Sequence, residues 1–168
     1  MTYAVVYNSL TGNTEMLAER IREALGEEDC VYFGGVPEAV PDADVVFAGF
    51  WTDKGICSED IGEFIEKLEG KEIFLFGTAG FGGSKEYFNQ IMNRVSAFVP
   101  ESGILKGSFM CQGRMQDRVR QRYAAMQEKD PQDEKIKAML DNFDRALSHP
   151  DEEDLTALEG EVKKIWKV

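Results

Sequence analysis

The chain has 168 residues, of which 43% are hydrophobic, and this size fits one domain with a sizeable core. Its 31 acidic and 19 basic residues give a net charge of −12, which argues against nucleic acid and anionic membranes as partners, because both repel an acidic protein. No apolar stretch is long enough to span a membrane, and Met1 leads directly into a predicted strand without a signal-peptide pattern. We therefore predict a cytoplasmic protein.

Cysteine and histidine usage argues against a disulfide framework and a metal site. Cys30, Cys57 and Cys111 are odd in number and lack C-x-x-C spacing, so the thiols are expected to be reduced. The single histidine, His149, stands beside a proline in a predicted solvated loop. A single histidine in such a loop argues against a histidine-based triad and against a multi-histidine metal site.

Five strands are predicted in the first two thirds of the chain, at 2–7, 30–33, 45–50, 73–76 and 108–111. Amphipathic spacing predicts helices that begin near Asn13, after Ser58 and after Ser84, whereas the proline-containing link 36–43 has room for a short helix at most. Strands that alternate with helices favour a parallel sheet covered on both faces, which is a three-layer α/β sandwich. Five strands suggest the order 2-1-3-4-5.

Three charged helical patterns follow Cys111, and Pro131 and Pro150 separate them. The last pattern is predicted to cover the sheet. The stretch 115–148 exceeds what a five-stranded fold needs, so we interpret it as a helical elaboration beside the ligand edge or as a partner surface. We treat residues 1–168 as a single domain.

The segment VVYNSLTGNT leads from the first strand into the first helix, where unpaired backbone N–H groups favour an anion. Ser9, Thr11 and Thr14 add neutral hydroxyl donors, and Gly12 allows a positive φ and a close backbone approach. Asn13 stands where a triphosphate-binding loop carries lysine, and the segment contains no cation, so a single terminal phosphate fits best. The alternative is a hydroxyl-rich helix cap without a ligand.

Two further loops follow the third and fourth strands, at 51–57 and 77–83. In an open parallel sheet such loops meet a ligand at the point where strand order reverses. Trp51 could stack on a flat ring or simply close the core. The third loop has four glycines in seven residues, which indicates backbone contacts to a heterocycle, with Phe81 over a ring, or else a flexible turn.

The S-x-T-G-x-T pattern at 9–14, the tryptophan loop and the glycine-rich loop resemble the flavodoxin family over residues 1–111, and flavodoxin is itself a known example of binding at strand-order reversal. The resemblance implies FMN as cofactor and a flavodoxin-like fold. By position, the phosphate would be bound by Ser9, Leu10, Thr11, Gly12, Asn13 and Thr14. The ring would be flanked by Trp51, Thr52, Asp53, Lys54 and Gly55. Its pyrimidine edge would be held by Gly77, Thr78, Ala79, Gly80, Phe81, Gly82 and Gly83.

Details of the second and third loops refine this resemblance. The phrases WTDKG and FGTAGFGGS are similar to those of the flavodoxin-like partners of bacterial bilirubin reductases. Lys54 departs from the acidic residues frequent in flavodoxin loops, and the third loop lacks the tyrosine that often stacks on the ring. By resemblance, the Lys54–Gly55 peptide reorients when the flavin is reduced, and Gly55 supplies the positive φ required.

The function expected from this reading is electron transport between a reductase and a terminal redox enzyme, which needs no catalytic acid or base. The net charge predicts redox partners with a basic docking face. One alternative is an oxidoreductase, FMN-dependent and using NAD(P)H, in which Arg114, Arg118 and Arg120 contact the nicotinamide nucleotide. Another is a non-redox binding module of the same fold, against which the intact loop 9–14 argues.

Overall fold

The computed structural model describes residues 1–82 and 84–166, and its centre is one five-stranded parallel sheet. The strand order is β2-β1-β3-β4-β5, as predicted. The strands are β1 (Tyr3–Tyr7), β2 (Cys30–Gly34), β3 (Val45–Trp51), β4 (Glu72–Ala79) and β5 (Ile104–Gln112). The helices are α1 (Asn13–Leu25), α2 (Glu59–Glu66), α3 (Lys85–Ser96), α4 (Asp117–Lys129), α5 (Glu134–Ala146) and α6 (Glu152–Ile165).

Helices cover both faces of the sheet, because successive strand side chains point to opposite sides and both sets are apolar. On one face, Val46 and Ala48 pack with the buried side chains of α2 and α3. On the other face, Val45 and Phe47 pack with α1 and α6. The predicted three-layer sandwich is therefore confirmed, and α6 covers the sheet as expected.

The two strands on the β5 side of the sheet are longer than their apolar runs predict. The sequence predicts a loop from Gly77 onward, but β4 continues through Gly77 to Ala79 because β3 and β5 pair with it on both sides. β5 begins at Ile104 rather than at 108, since an edge strand with polar side chains such as Lys106 lacks a continuous apolar signal. The link 36–43 contains no helix.

The elaboration after β5 is a pair of helices, α4 and α5, with a small apolar cluster of their own. Tyr123 of α4 packs with Ile136 and Leu140 of α5. Among the described helices, none is both long and apolar enough to span a membrane.

His149 is not the solvated loop residue that the sequence predicts. Its Nδ1 lies 2.7 Å from Asp154 Oδ2, and its carbonyl accepts a hydrogen bond from Arg114 N at 3.1 Å. Asp151 and Asp154 form a reciprocal capping box at the start of α6, so this cluster caps the N-terminus of a helix.

Candidate functional site

A cavity of about 690 Å³ lies at the carboxyl edge of the sheet. Its volume falls within the range of about 300–1,000 Å³ that is typical of small-molecule sites. All three predicted loops reach it, as does the segment 114–123. The predicted site residues that line the cavity are Leu10, Thr11, Asn13, Trp51, Thr52, Asp53, Lys54, Gly55, Thr78, Ala79, Gly80 and Phe81.

Three residues of the first loop lie behind this lining. Ser9 Oγ accepts hydrogen bonds from the backbone N–H groups of Gly12 and Glu15 at 3.1 and 3.3 Å, so it caps α1. Gly12 has a φ of +87°, the left-handed conformation that the sequence predicts. The Thr14 hydroxyl is buried, donates to Phe50 O at 3.1 Å and shares a 3.2 Å hydrogen bond with Thr78 Oγ1.

Two glycines of the third loop, Gly77 and Gly82, do not line the cavity. Gly77 is inside β4, where the ring of Phe50 occupies the space that a Cβ would need, so this glycine serves packing. A Cβ on Gly82 would meet the side chain of Gln112. Gly83 lies outside the described residues.

The third loop is anchored at Gly80 by side chains from outside it. Gly80 O accepts hydrogen bonds from Asn142 Nδ2 of α5 at 3.1 Å and from Gln112 Nε2 of β5 at 3.0 Å. Gln112 also donates to Asn142 Oδ1, so both side chains are held in place. A Cβ on Gly80 would overlap Met115. A side chain at this position would therefore have to displace Met115.

The second loop forms a tight turn whose two central residues have positive φ. Asp53 and Ile56 exchange backbone hydrogen bonds of 3.0 and 3.2 Å, and between them Lys54 has a φ of +53° and Gly55 a φ of +81°. Both signs are those of a type I′ turn. Arg94 of α3 donates to Gly55 O at 3.0 Å and fixes the turn against the body of the protein.

The first and second loops are connected through the start of α2. Asn8 Nδ2 donates to Asp60 Oδ2 at 2.7 Å and to Ser58 Oγ at 3.1 Å. Burial raises the pKa of Asp60, but hydrogen bonds from Ser58 and Asn8 outweigh this effect, and the net pKa shift is downward. The carboxylate is therefore ionised at neutral pH and holds the two loops together.

Thr52 provides a test of whether the cavity fits FMN. Its backbone N–H donates to Thr78 O at 2.9 Å, whereas its Oγ1 is buried and has no hydrogen-bond partner among residues 1–82 and 84–166. A buried hydroxyl without a partner costs about 1–3 kcal/mol, so a ligand with a polar edge would satisfy it. Trp51 beside it supplies an aromatic surface for a flat ring. These residues, together with the first turn of α1, fit FMN.

Arg114 gives the phosphate loop a cation that its own sequence lacks. The guanidinium donates to Thr11 O at 3.3 Å, and Arg114 O accepts from Thr11 Oγ1 at 3.2 Å and from Asn13 Nδ2 at 2.8 Å. This contact bridges about a hundred residues of sequence and so leaves no local signal. Gly113 makes it possible, because a Cβ there would overlap Asn13.

Residues on one face of α4 complete the cavity wall. Arg118, Arg122 and Tyr123 line it, whereas Arg120 points away and pairs with Asp144 at 3.0 Å. Arg118 was a predicted site residue, whereas Arg122 and Tyr123 were not predicted to line a site. The i, i+4 spacing of Arg118 and Arg122 was the available signal.

The cysteines are expected to differ strongly in reactivity. Burial raises the pKa of the Cys57 thiol to about 11, and it raises the pKa of the Cys111 thiol still further. At pH 8 only about one Cys57 in a thousand would be ionised, and the thiolate is the reactive form. We expect iodoacetamide to alkylate the partly exposed Cys30 first, as measured by peptide mass spectrometry. Labelling of Cys57 or Cys111 before Cys30 in the folded protein would contradict this.

Comparison with known proteins agrees with this geometry. The flavodoxin domain family matches residues 4–163. A flavodoxin-like domain-containing protein BilS from Clostridium symbiosum (strain WAL-14163) is 46% identical, over 95% of this chain and 93% of that protein. A short-chain flavodoxin associated with a non-canonical PDU bacterial microcompartment superposes with a TM-score of 0.56 at 16% identity, over 98% of this chain and 97% of the other. A flavoprotein from Lactobacillus acidophilus NCFM in complex with FMN gives 0.53 at 14% identity, over 65% and 92% of the two chains.

The two solved structures show a shared fold. The family match and the sequence relative show the family to which the chain belongs. Both agree with the resemblance that the loops 9–14, 51–57 and 77–83 suggested. The chain therefore belongs to the flavodoxin domain family and is an FMN-binding, flavodoxin-like protein.

Proposed function

We propose that this protein carries electrons between a reductase and a terminal redox enzyme in the cytoplasm. Bound FMN supplies the redox chemistry, because it exchanges one or two electrons. The observation that carries the proposal is the convergence of the three loops on one cavity whose mouth is bordered by exposed side chains, Leu10 and Phe81. A redox partner can approach a ring held there without entering the protein.

The residues of this chain would bind and orient the cofactor rather than transfer protons. The first turn of α1 and Arg114 would meet the phosphate, and Thr52 would accept or donate a hydrogen bond at the polar edge of the ring. The wall formed by α4 would exclude water from one side. This division of roles suits a carrier, in which the protein sets the potential and the access.

An NAD(P)H-dependent oxidoreductase is the second candidate, and one observation favours it. Arg114 and Arg118 line the same cavity, where the phosphates of a nicotinamide nucleotide would find cations. Arg120 does not support it, since its guanidinium is engaged with Asp144. A non-redox module is disfavoured, because the chain belongs to a flavin-binding family.

One cuvette experiment separates the two candidates. The purified protein, loaded with FMN, is mixed anaerobically with NADPH, and the flavin absorbance is followed. For a carrier we expect the oxidised spectrum to persist until a catalytic amount of an NADPH-dependent flavodoxin reductase is added. Rapid bleaching by NADPH alone would support the oxidoreductase and contradict the carrier.

The acceptor in this proposal is a terminal redox enzyme. The similarity of the phrases WTDKG and FGTAGFGGS to flavodoxin-like partners of bilirubin reductases makes a bilirubin reductase the first acceptor to assay with the reduced protein. The net charge of −12 favours a partner with a basic docking face, and that expectation stays a prediction.

A further inference from the structure

The charge at the cavity is opposite to the charge of the whole protein. Four basic side chains line it, Lys54, Arg114, Arg118 and Arg122, against one acidic side chain, Asp53. The chain as a whole carries −12. The negative charge therefore lies elsewhere on the surface, and the cavity mouth is a local basic patch.

The two arginines of α4 in this patch, Arg118 and Arg122, are exposed and can contact a partner protein. Within the described part of the chain, no carboxylate lies within 4.0 Å of Arg118 or Arg122, whereas their neighbour Arg120 forms a bidentate pair with Asp144. Arg118 and Arg122 stand one helical turn apart, so their charges face the same direction.

Exposed apolar side chains accompany these charges. Leu10 is 48% exposed and Phe81 is 44% exposed, and both line the cavity on the side of the first and third loops. Protein interfaces commonly combine an apolar centre with a charged rim and are enriched in arginine. The mouth has both features, at the place where an electron must leave or enter.

We propose that the redox partner docks over the cavity mouth through an acidic patch that pairs with Lys54, Arg118 and Arg122. The inference rests on the proposed carrier function and adds the chemistry of its partner. A partner with an acidic patch is the opposite of what the net charge predicts. We give the local charges more weight because charges more than about 8 Å away are largely screened at physiological ionic strength, whereas charges at the contact are not. Local complementarity then sets the orientation of the complex.

Two forms of one cytochrome test the sign of this interaction. The probes are a basic c-type cytochrome and the same cytochrome with its lysines succinylated, which replaces positive charges by carboxylates. Anaerobically reduced, FMN-loaded protein is mixed with each, and the rate of haem reduction is measured at about 0.15 M ionic strength. In each event one electron leaves the flavin and reduces one ferric haem to ferrous.

The informative variant reverses both arginine charges, Arg118→Glu/Arg122→Glu. We expect it to reduce the succinylated cytochrome about tenfold more slowly than the parent protein, and the basic cytochrome faster. A matched control, Lys67→Glu/Lys164→Glu, makes the same change in net charge at exposed positions at the ends of α2 and α6. It is expected to change both rates by less than about twofold, since screening weakens its effect at the mouth.

The outcomes separate this inference from the proposed function. If the parent protein reduces neither cytochrome, the carrier function fails. If it reduces both, but charge reversal leaves the succinylated rate unchanged or raises it, the carrier stands and the acidic patch is wrong. Rates refer to flavin-loaded protein. If the double Glu variant does not load FMN, Arg118→Gln/Arg122→Gln is used, for which about a threefold decrease is expected.

Discussion

Riboflavin is expected to bind this protein at least about a hundredfold more weakly than FMN, because the phosphate forms several charge-assisted hydrogen bonds of about 1.5–3 kcal/mol each. The donors are the first backbone N–H groups of α1 and the guanidinium of Arg114, which reaches Thr11 O. Titration of each flavin with apoprotein, followed by fluorescence quenching, measures the ratio. Equal affinities would contradict a phosphate site at residues 9–14.

Arg114→Gln is expected to reduce this FMN-to-riboflavin ratio by about tenfold, since it removes the positive charge beside the phosphate loop. Riboflavin affinity itself should change little. The matched control is Arg120→Gln, which breaks the exposed pair with Asp144 and leaves the cavity wall intact. A loss of affinity that is equal for both flavins would mean that Arg114 supports the fold of the site rather than the phosphate.

Gly55→Ala is expected to weaken binding of oxidised FMN by about five- to thirtyfold, because the cost of about 1–2 kcal/mol for an L-residue in a left-handed conformation would pull this cavity-lining turn out of the conformation that meets the cofactor. Gly55 has a φ of +81°, and its Cβ would lie 2.5 Å from Arg94 Nη1, which holds the turn. The resemblance assigned this glycine to the reduced state. The structure shows that Gly55 already has a positive φ in the described turn. We therefore expect the substitution to change the affinity for oxidised FMN.

The control for Gly55→Ala is Gly70→Ala, at the turn before β4. Gly70 has a φ of +69°, and nothing lies within 4 Å of its Cβ position, so the two substitutions share the backbone strain. Both should lower the urea midpoint of unfolding, but only Gly55→Ala should weaken FMN binding in the fluorescence titration. Unchanged FMN affinity in Gly55→Ala would show that this turn does not contact the cofactor.

The strands, the helices that alternate with them and the first two ligand loops could be predicted because their signals are local, and the count of five strands then suggested the order. Apolar runs such as that of β3 and the i, i+4 pattern of α1 reflect burial on one face, and this periodicity survives in any single sequence. The positive φ of Gly12 could likewise be predicted, since a turn from strand to helix often needs one. The flavodoxin family followed from the order and spacing of these features.

Local patterns failed where long-range pairing decides the conformation. Gly77 reads as part of a glycine-rich loop, yet pairing with both neighbours extends β4 through it, and Phe50 needs the space beside it. β5 is longer than its apolar run for the same reason, because backbone hydrogen bonds extend a strand without regard to side-chain polarity. The role of Gly77 in packing therefore becomes visible only in the tertiary structure.

By itself, the sequence determined the fold class, the existence of the three loops and the family, because apolar periodicity and residue spacing can be recognised without knowledge of the tertiary contacts. Tertiary structure alone decided the electrostatics of the site. The chain crosses the sheet edge after β5, so Arg114 meets Thr11, and α4 turns Arg118 and Arg122 toward the cavity. Coulomb interactions depend on distance in space, and a loop that is neutral in sequence thereby becomes part of a basic site in a protein of charge −12.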